Sequence, residues 1–75
     1  MLTRIELLRA IVAGKQAQRI RIDGRKVYVD LITASMLVQI HDALSEENRA
    51  KFIALPFLKM VDVGWRLVKS QRVAA

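Results

Sequence analysis

The stretch QRIRIDGRKVYVDL, residues 18–31, constrains the fold more than any other part of the chain. Ile20, Ile22, Val27, Val29 and Leu31 are apolar, and Arg19, Arg21, Tyr28 and Asp30 lie between them. That alternation is the period of a strand with one wet face. Asp23-Gly24 interrupts it, and Asp-Gly between two alternating runs is the strongest short-range signal for a hairpin. A two-residue turn at Asp23-Gly24 sets Arg21 opposite Lys26, and like charges directly opposite one another are unfavourable. A four-residue turn over residues 23–26 instead sets Arg19 opposite Asp30 and Arg21 opposite Tyr28, and this longer turn is the one expected. Either register keeps the same residues on the same face. The apolar face meets helices. The other carries Arg19, Arg21, Tyr28 and Asp30, with Arg25 and Lys26 at the tip.

The flanking segments change to helical spacing. In TRIELLRAIVAGK, Thr3 with Glu6 fits a capping box, and Ile5, Leu8, Ile11 and Val12 share a face. Gly14 is expected in the left-handed conformation that ends a helix, with Lys15 near the negative end. TASMLVQIHDAL places Met36, Leu37, Ile40 and Leu44 inward, with Thr33 or Ser35 as its cap. Ser45 caps a third helix, EENRAKFIAL, which carries Glu46 and Glu47 at its positive end. Leu55-Pro56 ends that pattern, because a residue before proline avoids the helical region. Pro56 suits the first position of a last helix, PFLKMVDVGWRLVKSQ. The reading is a single α+β domain over residues 1–75: a β-hairpin packed on three or four short helices, α-β-β-α-α-α, with a flexible tail at about 71–75.

The order helix, Gly-Lys, hairpin, helix resembles the head-completion protein W family of lambda-like phages. The matching residues are Gly14, Lys15, Asp23, Gly24, Arg25, Val27 and the Ala43-Leu44 pair that ends the following helix. The resemblance covers residues 5–44 and implies the helix–hairpin–helix topology and a phage-type origin. Beyond Leu44 the chain departs from the family, whose tail is short and polar, and continues into two more apolar helical segments.

Several kinds of chemistry are excluded by composition. With no cysteine and one histidine, the 75 residues offer neither disulfides nor a thiolate or histidine-cluster metal site. No phosphate-binding glycine loop is present, so no metal and no cofactor is expected. His41 alone titrates near neutral pH unaided. Asp42 is expected to point elsewhere, since adjacent helical residues do not share a face. Leu37 and Val38, which do share it, cannot orient an imidazole. No catalytic residue is assigned and the chain is read as a non-enzyme, with no small-molecule substrate. The most apolar run contains Lys59, Asp62 and Arg66, too much charge for a membrane span. Without a signal peptide, the location expected is the cytoplasm, that of the host cell if the chain is phage-encoded.

Two surfaces remain as candidates. Lys15, Arg19, Arg21, Arg25 and Lys26, with Tyr28 beside them, form a basic surface in a chain of formal net charge +6. Arginine forks suit phosphates and carboxylates; the same charges also guard a strand edge against aggregation. The last helix is apolar on nearly every side, and a helix of that kind is buried all round. Phe57, Met60, Val61, Trp65 and Val68 are therefore expected to serve as an apolar interface, with Gly64 allowing close approach of another backbone. With 53% hydrophobic residues in so short a chain, some of this surface is expected to be shared with another chain, as a dimer or a partner complex. The leading expectation is a small phage-type adaptor that binds a host or virion protein and alters its activity. The alternatives are a nucleic-acid-binding regulator using the basic hairpin, and a virion head-completion part.

Overall fold

The computed structural model describes residues 3–74, and the side chains of residues 3–70. Four helices and one hairpin follow in the expected order: α1 (Arg4–Gly14), β1 (Gln18–Ile22), β2 (Arg25–Val29), α2 (Leu31–Ala43), α3 (Glu46–Ala54) and α4 (Phe57–Ala74). The fold is α+β, with a two-stranded antiparallel sheet.

Local chemistry accounts for most boundaries. The Thr3 hydroxyl accepts from the Glu6 amide, and the Glu6 carboxylate accepts from the Thr3 amide, so the capping box is complete. Those bonds hold the Glu6 carboxyl below its ordinary pKa. Ser45 caps α3 by accepting from the Asn48 amide, with Glu46 and Glu47 in the first turn. Four boundaries differ from expectation. Lys15, not Gly14, takes the left-handed conformation after α1, at φ 54°, and its amide donates to the Val12 carbonyl at 3.2 Å. Neither Thr33 nor Ser35 caps α2. Asp30 does, accepting from the Thr33 amide at 2.6 Å, a bond that also lowers the Asp30 pKa. Aspartate is among the best cap residues, so Asp30 leaves the strand and Leu31 opens the helix. Pro56 stands just ahead of α4, its carbonyl accepting from the Met60 amide. α4 continues to Ala74, beyond where a frayed tail is expected; the side chains of residues 71–75 lie outside the described set.

The hairpin turns on two residues, not four. Asp23 and Gly24 both have positive φ, 54° and 76°, the conformation of the turn whose twist matches paired strands. The register sets Arg19 opposite Tyr28, Ile20 opposite Val27, Arg21 opposite Lys26 and Ile22 opposite Arg25. The like-charge pair that argued for the longer turn is exposed, where water screens it to a small penalty. Favourable turn geometry outweighs that.

The core joins Leu8 and Ile11 of α1, Ile20, Ile22 and Val29 of the sheet, and Ala34, Met36 and Leu37 of α2. Phe52 of α3 and Phe57 and Met60 of α4 complete it. Val27, Ile40 and Leu44 are only half-buried, though all three pack against this cluster. Gly64 sets how closely α4 approaches α2. A Cβ there would stand 2.5 Å from the Met36 sulfur and 3.2 Å from Leu37 Cδ2. The close approach for which the sequence singled out Gly64 is thus made within the chain.

Candidate functional site

Alternation along the two strands decides which basic residues share a surface. Ile20, Ile22, Val27 and Val29 occupy the inner positions of the register, so Arg19, Arg21, Lys26 and Tyr28 stand together on the outward face. All four are exposed, the Tyr28 ring at 64%. Arg25 is exposed too, but it pairs with Ile22 and so takes the inner register at the turn, away from Lys26. Asp30, placed on the wet face by the sequence, belongs to the cap of α2. Lys15 is exposed in the left-handed cap of α1, outside the sheet.

None of these five cations forms a salt bridge among the described residues. The arginines of α1 and α3 behave otherwise. Arg4 donates to the Ile53 carbonyl at 2.9 Å and to the Leu55 carbonyl, and pairs with Asp23 at 2.6 Å. It thereby satisfies carbonyls that α3 leaves without partners at its end. The second Asp23 oxygen accepts from the Phe57 amide at 2.9 Å and caps α4 from the hairpin turn. One guanidinium and one carboxylate thus tie α1, the turn and the α3–α4 joint together, and fix the attitude of the basic face. Sequence reading assigned Asp23 to the turn alone and gave Arg4 no role, because their partners lie between 19 and 51 residues away.

A second cluster corrects the expectation for His41. Its Nδ1 lies 3.1 Å from Asp42 Oδ1, so the neighbouring carboxylate does reach the ring, although the two residues leave the helix in different directions. Asp42 also accepts from both terminal nitrogens of Arg9. The Arg9 bonds first, and His41 second, hold the Asp42 carboxyl down at about 2. Arg49 donates to the His41 and Asp42 carbonyls, each at 2.9 Å, closing the end of α2. His41 is buried, and the cluster clamps α1, α2 and α3.

The last helix is not covered all round. Phe57 and Met60, two of the five residues expected at an interface, are core residues of this chain, with Met60 completely buried. Val61 and Val68 are half-buried and Trp65 is 38% exposed. Leu58, at 73%, faces outward. So short a chain has too few other elements to surround its longest helix. Trp65 and Val68 border a groove of about 660 Å³ against Leu31, Ile32, Met36 and Ile40 of α2. A second cleft, of about 570 Å³, separates Arg25, Lys26, Val27 and Tyr28 from Pro56, Phe57 and Leu58.

Among the described residues no helix is long and apolar enough to cross a membrane, and no three His, Asp or Glu side chains converge as metal ligands. The chain matches no protein-family model, no curated protein and no solved structure.

Proposed function

We propose that this chain is a small non-catalytic adaptor, of the type a phage encodes, which docks an acidic protein partner on the outward face of its hairpin and alters that partner's activity. The observation that supports this is the set of exposed cations on one face around Tyr28, without salt-bridge partners among the described residues, while Arg4, Arg9 and Arg49 are committed to holding the fold. The free patch is small. Nucleic-acid binders that make some 6–10 phosphate contacts need more free cations on one face than the three here. The groove at Trp65 and Val68 would take an apolar part of the partner or a second copy of the chain. Working in the cytoplasm and without cofactor belongs to the same reading.

The test is capture of proteins from nuclease-treated lysate by the chain and by a variant with Arg19, Arg21, Arg25 and Lys26 replaced by Gln. A partner retained by the parent and lost by the variant is expected. Equal retention by both sinks the reading.

A second reading is binding to nucleic acid, favoured by the like charges that Arg21 and Lys26 bring together. It requires capture that disappears with nuclease, and an affinity whose salt dependence flattens by about one unit of slope for each cation removed.

A further inference from the structure

We infer that the open edge of β2 receives an acidic, extended segment of the partner as a third strand of the sheet. The inference rests on the adaptor reading and names how that adaptor holds its partner.

The turn fixes which backbone groups are free. A tight turn closes with a hydrogen bond from its fourth residue to its first, so Ile22 and Arg25 form a bonded pair. Antiparallel pairs then alternate between bonded and non-bonded, so Val27 and Val29 also bond to β1. The amides and carbonyls of Lys26 and Tyr28 point away from β1. No other hydrogen bond among the described residues reaches them. Arg19 and Arg21 face the opposite edge of the sheet by the same rule.

The β2 edge has a cleft beside it. Four consecutive residues of β2, Arg25 to Tyr28, line one wall, with Pro56, Phe57 and Leu58 across from them. Its volume of about 570 Å³ leaves room for an extended segment at the spacing of about 4.8 Å between paired strands. Main-chain bonds supply affinity in such strand addition, and alternate side chains supply selectivity.

The surroundings specify those side chains. Outward residues of the added strand meet Lys26 and Tyr28, where an acidic side chain opposite Lys26 is favourable. Inward residues meet Arg25 beside the turn and then Val27 and Leu58, and the latter two favour apolar partners. The segment therefore alternates acidic and apolar residues. Arg25 and Lys26 guard this edge against a basic or identical strand, but they do not oppose an acidic one. Here a 64% exposed tyrosine and a 73% exposed leucine flank the edge, and both favour pairing.

The probe is an acetylated, amidated heptapeptide of alternating glutamate and valine, titrated into the full chain. Two control peptides carry N-methyl groups on the glutamate amides or on the valine amides. Binding by the unmethylated peptide is expected, with loss of about tenfold or more for one methylated form, since one set of amides faces β2. Amide hydrogen exchange at Lys26 and Tyr28 should slow by about tenfold or more at saturation, while Arg19 and Arg21 keep their free-state rates. Equal binding of all three peptides, or unchanged exchange at Lys26 and Tyr28, overturns the third strand but leaves docking by charge intact. No peptide binding at millimolar concentration also overturns it, and the capture experiment then decides the adaptor reading on its own. If a mixed-sequence single-stranded oligonucleotide binds where the peptide does not, both ideas fall in favour of nucleic acid.

Discussion

Arginines do two kinds of work in this protein, and the helices and the hairpin divide them. On α1 and α3, Arg4, Arg9 and Arg49 each bond to groups on another element: carbonyls at the ends of α2 and α3, the Asp42 carboxylate and the Asp23 carboxylate. On the hairpin, Arg19, Arg21 and Arg25 reach no acidic group among the described residues. Composition treats all six alike. Their surroundings decide which of them stabilise the fold and which remain free to bind.

The contrast breaks most visibly at Arg4. Arg4→Ala leaves the carbonyls at the C-terminal end of α3 and one oxygen of Asp23 without their donor. Charge-assisted hydrogen bonds contribute about 1.5–3 kcal/mol each; because the Asp23 side is partly solvent-screened and bonds in one network do not add, a total loss of about 3 kcal/mol is expected. In a domain of this size that is a fall of about 15 °C in Tm. Thermal unfolding followed by circular dichroism measures it, and a change below about 1 kcal/mol would show that Arg4 is no more structural than the hairpin arginines.

Asp23→Ala should come next, at about 2 kcal/mol. It removes the remote cap of α4 and puts alanine at φ 54°, where aspartate is better tolerated. Because Arg4 and Asp23 share one network, the double variant should be less destabilised than the sum of the singles, by about 1 kcal/mol. Strict additivity in chemical denaturation would show that they act independently.

The Arg9–Asp42–His41 cluster sharpens the comparison through pH. Asp42 has a folded pKa of about 2 against an ordinary 3.8. Its contribution is therefore fully present above 3.8 and is lost as pH falls toward 2. Parent protein should lose more stability over that window than Asp42→Asn. Glu6 and Asp30 also titrate low, but they do so equally in both proteins. Parallel pH profiles would remove the cluster from the account of acid stability.

The smallest effect belongs to the free arginines. Arg21→Gln should change stability by no more than about 0.5 kcal/mol, and in the favourable direction, because it relieves repulsion from Lys26. Destabilisation by more than about 1 kcal/mol would place Arg21 among the structural arginines and weaken its case as a binding residue.

The sequence by itself determined the elements and their order. Alternation around Asp23-Gly24 gave the hairpin, the Thr3–Glu6 box and Ser45 gave two helix starts, and Leu55-Pro56 gave the last break. These signals are local, carried by residues within a few positions of one another, and local chemistry enforces them. The basic composition of the hairpin was equally legible, and so was the outward face of Arg19, Arg21 and Tyr28, because a two-residue period fixes the face whatever the turn length. Tertiary structure decided what depends on distant partners. It chose the two-residue turn, placed Lys26 on the outward face and put Arg25 on the inner register. It drew Phe57 and Met60 into the core and left Leu58 and Trp65 uncovered. It also joined Arg4 to carbonyls some fifty residues on and gave Asp23 the Phe57 amide to cap. Such bonds have no period and no spacing to read, since they arise only when packing brings one element's loose end to another's side chain.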